Sequence, residues 1–99
     1  MMTLPPSKTR IAHAAKLLKA LGDDTRLEIL YCLHQQPRNV GELAQALAME
    51  QSALSHQLRV LKEARLIKSQ VAGKSRVYSL TDEHVQRILT QLLEHVREI

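Results

Sequence analysis

The sequence predicts a mainly α-helical domain that carries one β-hairpin. Over most of the chain, apolar residues recur at helical spacing, and this period changes only between positions 67 and 80. The 99 residues, of which 44% are hydrophobic, suffice for one domain with its own core. We therefore expect a single domain over residues 8–99, preceded by a flexible arm at residues 1–7 that holds Pro5 and Pro6.

Four helices are expected before the hairpin. The first has an apolar stripe up to Leu21 and ends at Gly22. The second can be capped by Asp23 or Asp24 and is stopped by Pro37. The first, third and fourth helices are expected at residues 8–21, 40–48 and 51–64.

The hairpin and a last helix complete the predicted order α-α-α-α-β-β-α. Two strands are expected at 67–71 and 76–80, joined by a turn over residues 72–75. Thr81 and Asp82 start the last helix, which runs to the C-terminus with a wide apolar stripe. A short helix, a tight turn, a second helix and a hairpin in this order are typical of a winged helix-turn-helix, in which helix 51–64 is the recognition helix.

Positive charge is concentrated in the same part of the chain. Residues 50–80 hold six Lys or Arg against two Glu, whereas the remaining charges cancel. A basic patch confined to one segment is typical of a phosphate-binding surface, although charge alone also fits a solvated lysine-rich face.

The predicted recognition helix and hairpin supply the candidate DNA contacts. Hydrogen-bonding side chains at the start of a recognition helix contact the edges of nucleobases in the major groove. Basic side chains on a hairpin contact the flanking DNA backbone or the minor groove. Singly, Ser52 could instead cap the helix and His56 could be an ordinary exposed histidine. The candidates are Gln51, Ser52, Ser55, His56 and Arg59 on the helix, with Lys68, Lys74 and Arg76 on the hairpin.

The last helix carries a candidate metal site at Asp82, His84, His95 and Glu98. His84 and His95 share one stripe but lie about 16 Å apart along the axis, so one helix cannot bring both to one ion. Two such helices packed antiparallel about a two-fold axis would set Asp82 and His84 of one protomer against His95 and Glu98 of the other. Two nitrogen and two carboxylate ligands suit tetrahedral Zn²⁺ and tolerate Co²⁺. The alternative is that the acids and His95 only favour the helix ends electrostatically.

Other classes of protein find little support. No apolar run approaches a bilayer span, no secretory signal is evident, and we expect a cytoplasmic protein. The single cysteine, Cys32, excludes an internal disulfide framework and is expected to be a buried core residue. His13 and His34 are expected at the surface. No nucleophile–base motif or phosphate-cradling glycine loop indicates an enzyme.

The chain resembles the ArsR/SmtB family of metal-sensing repressors in three stretches. These are LLKALGDDTRLEIL (17–30), VGELAQALAMEQSALSHQLRVLKEARLI (40–67) and GKSRVYSLTDEHV (73–85). The resemblance implies a homodimer that binds a palindromic operator in double-stranded DNA through Gln51, Ser52, Ser55 and His56, and leaves it when metal binds. The last-helix pattern is similar to the site of the zinc-sensing branch.

That resemblance also implies a relay from the metal to the DNA-reading unit. The ring nitrogen of His95 that faces away from the metal would donate to a backbone carbonyl at the end of the recognition helix, and the matching position is Arg65. A regulator of the same fold that responds to a non-metal signal remains the alternative.

Overall fold

A computed structural model describes residues 4–97 and gives five helices and three strands within that range. The predicted order of four helices, hairpin and helix is confirmed, with one short strand in addition. The elements are α1 Lys8–Leu21, α2 Asp24–Gln35, β1 Arg38–Asn39, α3 Val40–Leu47, α4 Gln51–Glu63, β2 Ile67–Ala72, β3 Ser75–Leu80 and α5 Glu83–Val96. The arm and the domain limits at 1–7 and 8–99 stay predictions.

Side-chain caps explain where four of the helices begin. In each, the cap oxygen accepts a hydrogen bond from a backbone N–H in the first turn, which satisfies a donor the helix leaves free. The four caps are Ser7, Asp23, Asn39 and Asp82. Asn39 and Glu42 form a reciprocal capping box. α4 differs, because its N-cap residue Glu50 makes no side-chain capping bond. The alternative prediction that Ser52 caps this helix is wrong, since Ser52 lies inside it.

One apolar core, built mainly of leucines, joins every element except β1. The buried side chains described in the structure are all apolar, so the core's stability rests on burial and packing rather than on buried polar groups. The fully buried side chains are Ile29, Leu30, Leu43, Leu54, Leu58, Leu61, Leu66 and Leu89.

The two hairpin strands, which form the wing, belong to a three-stranded antiparallel sheet in the order β1-β3-β2, with β3 at its centre. Each hairpin strand is one residue longer than predicted, which leaves Gly73 and Lys74 as the turn. Gly73 has φ +64°, a left-handed conformation that glycine adopts without steric cost. β1 pairs Arg38 with Tyr78 and Asn39 with Val77, and so fastens the wing to the start of α3.

The link from α4 to β2 is a Schellman turn with an arginine in the usual glycine position. Leu66 N–H donates to the Leu61 carbonyl and Arg65 N–H to the Lys62 carbonyl, both at 3.0 Å. Arg65 has φ +61°, which costs a residue with a Cβ about 1 kcal/mol. The turn fixes the angle at which the hairpin leaves the recognition helix.

Candidate functional site

The outer face of α4 presents every side chain that we predicted on this helix. Leucines fill the opposite face, so the outer face is left to solvent. The exposed set is Gln51, Ser52, Ser55, His56 and Arg59. Hydrogen-bonding groups in the first turns of an exposed helix next to a hairpin are arranged as a major-groove reading surface requires.

Arg26 of α2 holds α4 in place, a contact that sequence reasoning missed. Its guanidinium donates to the carbonyls of Ala20, at 2.7 Å, and Lys19, at 3.2 Å, at the end of α1. The same group donates to Gln57 Oε1 of α4 at 3.3 Å. One side chain therefore ties the first helix, the second helix and the reading helix together.

The three basic side chains predicted on the wing, the β2–β3 hairpin, are all exposed, but they do not share one face. Lys68 pairs with Ser79, whereas Arg76 pairs with Val71. Side chains alternate across a strand and paired residues share a face, so Lys68 and Arg76 lie on opposite faces of the hairpin. Lys74 lies in the turn.

Asp82 and His84 lie together at the start of α5. Asp82 Oδ1 accepts from Val85 N–H at 3.2 Å and lies 3.6 Å from His84 Nδ1. The Val85 N–H, and then the neighbouring His84, hold the pKa of the Asp82 carboxyl below its usual value. The His84 side chain is 84% exposed. The pair therefore offers an ionised oxygen and an accessible ring nitrogen at the surface.

The other two predicted ligands belong to the far end of the helix. His95 is exposed in the last turn of α5, and Glu98 lies outside the described residues. Within residues 4–97, one protomer brings no three metal-ligating side chains together. A site that uses both pairs thus requires a second copy of the chain.

A broad apolar surface runs along α1 and α5. On α5, Ile88, Leu92 and Val96 are between 37% and 46% exposed, and on α1 Leu18 is 64% exposed. A groove of about 690 Å³ between the two helices has an apolar wall and includes His95. A patch of large apolar side chains of this kind marks an interaction surface.

Polar contacts join α2 to α5 behind this surface. Tyr31 Oη donates to the Leu89 carbonyl at 2.8 Å, and Gln86 Nε2 to the His34 carbonyl at 3.1 Å. His34 Nε2 lies 2.8 Å from Thr90 Oγ1, which itself donates to the Gln86 carbonyl. The expectation that His34 is a surface residue is therefore wrong: it is half-buried and bonded to a residue far along the chain.

Cys32 and His13 play no part in these contacts. Cys32 is half-buried at the edge of the core rather than fully inside it, because its place on α2 lies next to an open groove. His13 is exposed on α1, as expected.

The predicted relay partner Arg65 lies next to the start of α5. Its carbonyl accepts from Thr81 Oγ1 at 2.8 Å. His95 is fourteen residues beyond Thr81, about 20 Å along the helix, so the two groups cannot meet within one protomer. A relay between these two groups would therefore need two protomers, as would a metal site built from both pairs of candidate ligands.

Comparisons with known proteins agree with this fold. The family model described as "Bacterial regulatory protein, arsR family" matches residues 23–69. The HTH-type transcriptional regulator NmtR of Mycobacterium tuberculosis is 45% identical over 91 residues, which cover 92% of this chain and 76% of NmtR. The cadmium resistance transcriptional regulatory protein CadC homolog of Staphylococcus aureus is 38% identical over 94 residues, 94% of this chain and 78% of that protein.

A solved structure extends the likeness to nearly the whole chain. The homodimeric winged helix-turn-helix DNA-binding domain of Mb0332 from Mycobacterium bovis superposes with a TM-score of 0.87 at 28% identity and covers 99% of this chain and 92% of that one. No helix in residues 4–97 is long and apolar enough to cross a membrane. The matched relatives are regulators of transcription, in keeping with the expectation of a regulator rather than an enzyme. By sequence and by fold, this chain belongs to the ArsR family of bacterial regulatory proteins.

Proposed function

We propose that this protein is a dimeric, cytoplasmic transcriptional repressor that binds a palindromic operator as the apo dimer and releases it when Zn(II) binds between the α5 helices. Co(II) is a second fitting ion. The observation that carries the proposal is the placement of Asp82 and His84 on an exposed helix end, with His95 farther along the same helix beside an unpartnered apolar groove. The relative named for cadmium resistance supports a metal signal.

The apolar groove supports the dimer. Covering Ile88, Leu92 and Leu18 with a second copy removes large apolar side chains from water, which is the main driving force for association. The homodimeric state of the Mb0332 domain supports the same arrangement. Since a palindromic operator repeats its half-site about a two-fold axis, two reading helices related by that axis match it.

The donor set fits a zinc-type ion. Asp82 is a carboxylate at neutral pH, as any aspartate is, and its lowered pKa keeps it ionised in more acidic solution; the exposed His84 ring presents a nitrogen beside it. Asp82 and His84 of one protomer, with His95 and Glu98 of the partner subunit, would hold the metal. A bound ion supplies a cross-link between the two helices.

The remaining residues carry the signal to DNA. A His95 ring that is held in one tautomer presents its second nitrogen as an N–H donor. The Arg65 carbonyl of the partner subunit uses one lone pair for Thr81, and a second lone pair is left to accept that bond. Because Arg65 lies two residues beyond the end of the recognition helix, in the turn that closes it, this bond would restrain the spacing of the two recognition helices. Zinc must therefore favour the dimer shape that binds DNA poorly.

The test combines metal titration with operator binding. Duplexes selected from a random pool by the apo dimer serve as operator, and zinc should lower the affinity for them while calorimetry reports two sites per dimer. His95→Gln, compared with Glu98→Gln, examines the relay. Loss of zinc response in the His95 variant with metal binding retained supports it, whereas full release from DNA in that variant overturns it.

One observation favours a second candidate, a repressor of the same fold that responds to a non-metal signal. Asp82 already has a structural role as the N-cap of α5, and the start of a helix prefers an acid regardless of metal. Operator affinity that is unchanged by zinc, with no zinc bound in the titration, would select this candidate.

A further inference from the structure

Two cations converge on one hydroxyl at the base of the wing. Lys62 Nζ donates to Ser69 Oγ at 2.8 Å, and Arg76 NH1 donates to the same oxygen at 3.0 Å. The three residues come from the last turn of α4, from β2 and from β3. The cluster therefore bridges the recognition helix and the hairpin.

The charge of this cluster is not compensated within the described residues. The ion pairs in that range are Asp82–His84 and Glu83–Arg87, so neither Lys62 nor Arg76 has an acid partner. Two like charges held around a neutral oxygen repel each other, and an anion placed between them removes that repulsion.

The hydroxyl itself is set up to donate. Its oxygen has two lone pairs, and both are occupied by Lys62 and Arg76, so the Ser69 hydroxyl hydrogen is the group left for a further partner. An ammonium, a guanidinium and a hydroxyl then converge as donors. Such a set recognises a phosphate group, since charge-assisted hydrogen bonds to phosphate oxygens are strong.

The position of the cluster indicates which phosphate. Lys62 lies seven residues after Ser55 and three after Arg59, which places all three on one stripe of α4. In a winged helix-turn-helix bound to DNA, the recognition helix enters a major groove and the wing approaches the neighbouring minor groove. One sugar–phosphate backbone separates the two grooves, and it therefore passes between α4 and the wing.

We propose that Lys62, Ser69 and Arg76 form a binding site for one backbone phosphodiester of the DNA duplex per protomer. The proposal rests on the DNA binding proposed above and adds Lys62 and Ser69 to the interface. The site is independent of base sequence and of the metal-binding helix, and it fixes the angle of the wing on the duplex.

The salt dependence of binding to a mixed-sequence duplex of about 30 base pairs tests the site directly. Lys62→Met and Arg76→Met should each weaken binding about tenfold. The slope of log K against log salt is negative, and the double variant should reduce its magnitude by about 0.9 per protomer, the value for one phosphate. Lys16→Met, which removes the same charge from exposed α1, should leave the slope unchanged. A double variant with the wild-type slope, or with twice this loss, overturns the shared site.

Substitutions at Ser69 examine the hydroxyl. Ser69→Ala should weaken binding of the same duplex by less than the Lys62 variant, because both cations remain. Ser69→Asp should weaken it by more, because the carboxylate pairs with both cations and repels the phosphate. Melting temperatures close to wild type exclude unfolding as the cause, and duplex affinity that Ser69→Asp leaves unaltered contradicts the proposal.

Inorganic phosphate distinguishes the two sources of the anion. Millimolar phosphate should compete with the duplex only weakly, without saturating amide shifts at Lys62 and Ser69 in NMR spectra. Saturable shifts there, combined with a wild-type salt slope in the double variant, would assign the site to a free anion and overturn the DNA contact. If the wild-type protein does not bind duplexes, the proposed function fails. If it binds them and the variants at Lys62, Ser69 and Arg76 bind with wild-type affinity and salt slope, this inference alone fails.

Discussion

The DNA-reading half of this molecule (α3, α4 and the hairpin) and its proposed sensing half (α1 and α5) differ in how many apolar side chains one protomer buries. In the reading half, α4 buries Leu54, Leu58 and Leu61 against the rest of the domain. In the sensing half, α5 is of similar length but buries only Val85 and Leu89. α1 buries only its last two residues, Ala20 and Leu21.

The difference indicates that one protomer completes the recognition surface, whereas the sensing site proposed above needs two protomers. The molecule is elongated: its radius of gyration is 15.1 Å, above the about 13 Å expected for a compact chain of this length, and it extends 51 × 31 × 21 Å along its principal axes. Under the proposed function, a metal ion held between two α5 helices would act on the geometry of the pair without touching the surface that contacts DNA.

The largest expected effect is on dimerisation through the proposed sensing half. Leu92→Glu places a charge in the proposed dimer surface from each protomer, and we expect the dimer dissociation constant to rise by about 1000-fold or more. Sedimentation at micromolar concentration measures it. Val71→Glu, on an equally apolar but wing-located exposed position, is the matched control and should stay dimeric. A monomeric wild-type apo protein in the same experiment would remove both the interface and the shared metal site.

The next effect is in the reading half. Leu54→Ala opens a cavity beneath α4, and we expect the free energy of unfolding to fall by about 3 kcal/mol. Urea denaturation followed by circular dichroism measures the loss, and Val71→Ala should change it by less than about 0.5 kcal/mol. Equal losses in the two variants would contradict the packing described for α4.

The reading surface itself should separate into two kinds of contact. Ser55→Ala or His56→Ala should weaken binding to selected operator duplexes about tenfold while leaving mixed-sequence DNA nearly unaffected. Lys74→Ala should weaken both similarly and flatten the salt dependence. Fluorescence anisotropy at several salt concentrations measures these effects, and indistinguishable behaviour of the two classes would show that the recognition helix is misassigned.

The smallest effect separates the two roles of Asp82. Asp82→Ala removes the cap of α5 and should lower the melting temperature by a few degrees, whereas Asp82→Asn keeps a capping oxygen. Both variants should bind zinc more weakly, because the ionised ligand is lost. If Asp82→Asn binds zinc as tightly as wild type, Asp82 is a cap alone.

The helices and the hairpin could be predicted because the spacing of apolar residues in the sequence marks them. The features that were missed depend on contacts between distant residues, which this spacing does not show. β1 has only two residues, too few to show alternation, and is a strand only through its pairing with β3, which lies far along the sequence. The His34–Thr90 and Lys62–Ser69–Arg76 contacts bring together residues that only the folded chain places side by side. At the candidate metal site, sequence supplied the residue types and spacing, and the structure adds the pairing of Asp82 with His84. The partner's contribution stays a prediction.

The bond from Arg26 to Gln57 has a consequence for redesigning the DNA specificity of this chain. Along α4, the side chains at 51, 52, 55 and 56 face outward, while Leu54, Gln57, Leu58 and Leu61 contact the body of the protein. The residues that face the DNA can therefore be exchanged while those that attach the helix to the rest of the domain are kept. An operator preference could be transplanted from a related regulator by exchanging these four residues together with Arg59, which lies on the same outer face. Replacing the whole helix would also discard Gln57, and with it the side-chain hydrogen bond that sets the orientation of the reading helix against the first two helices.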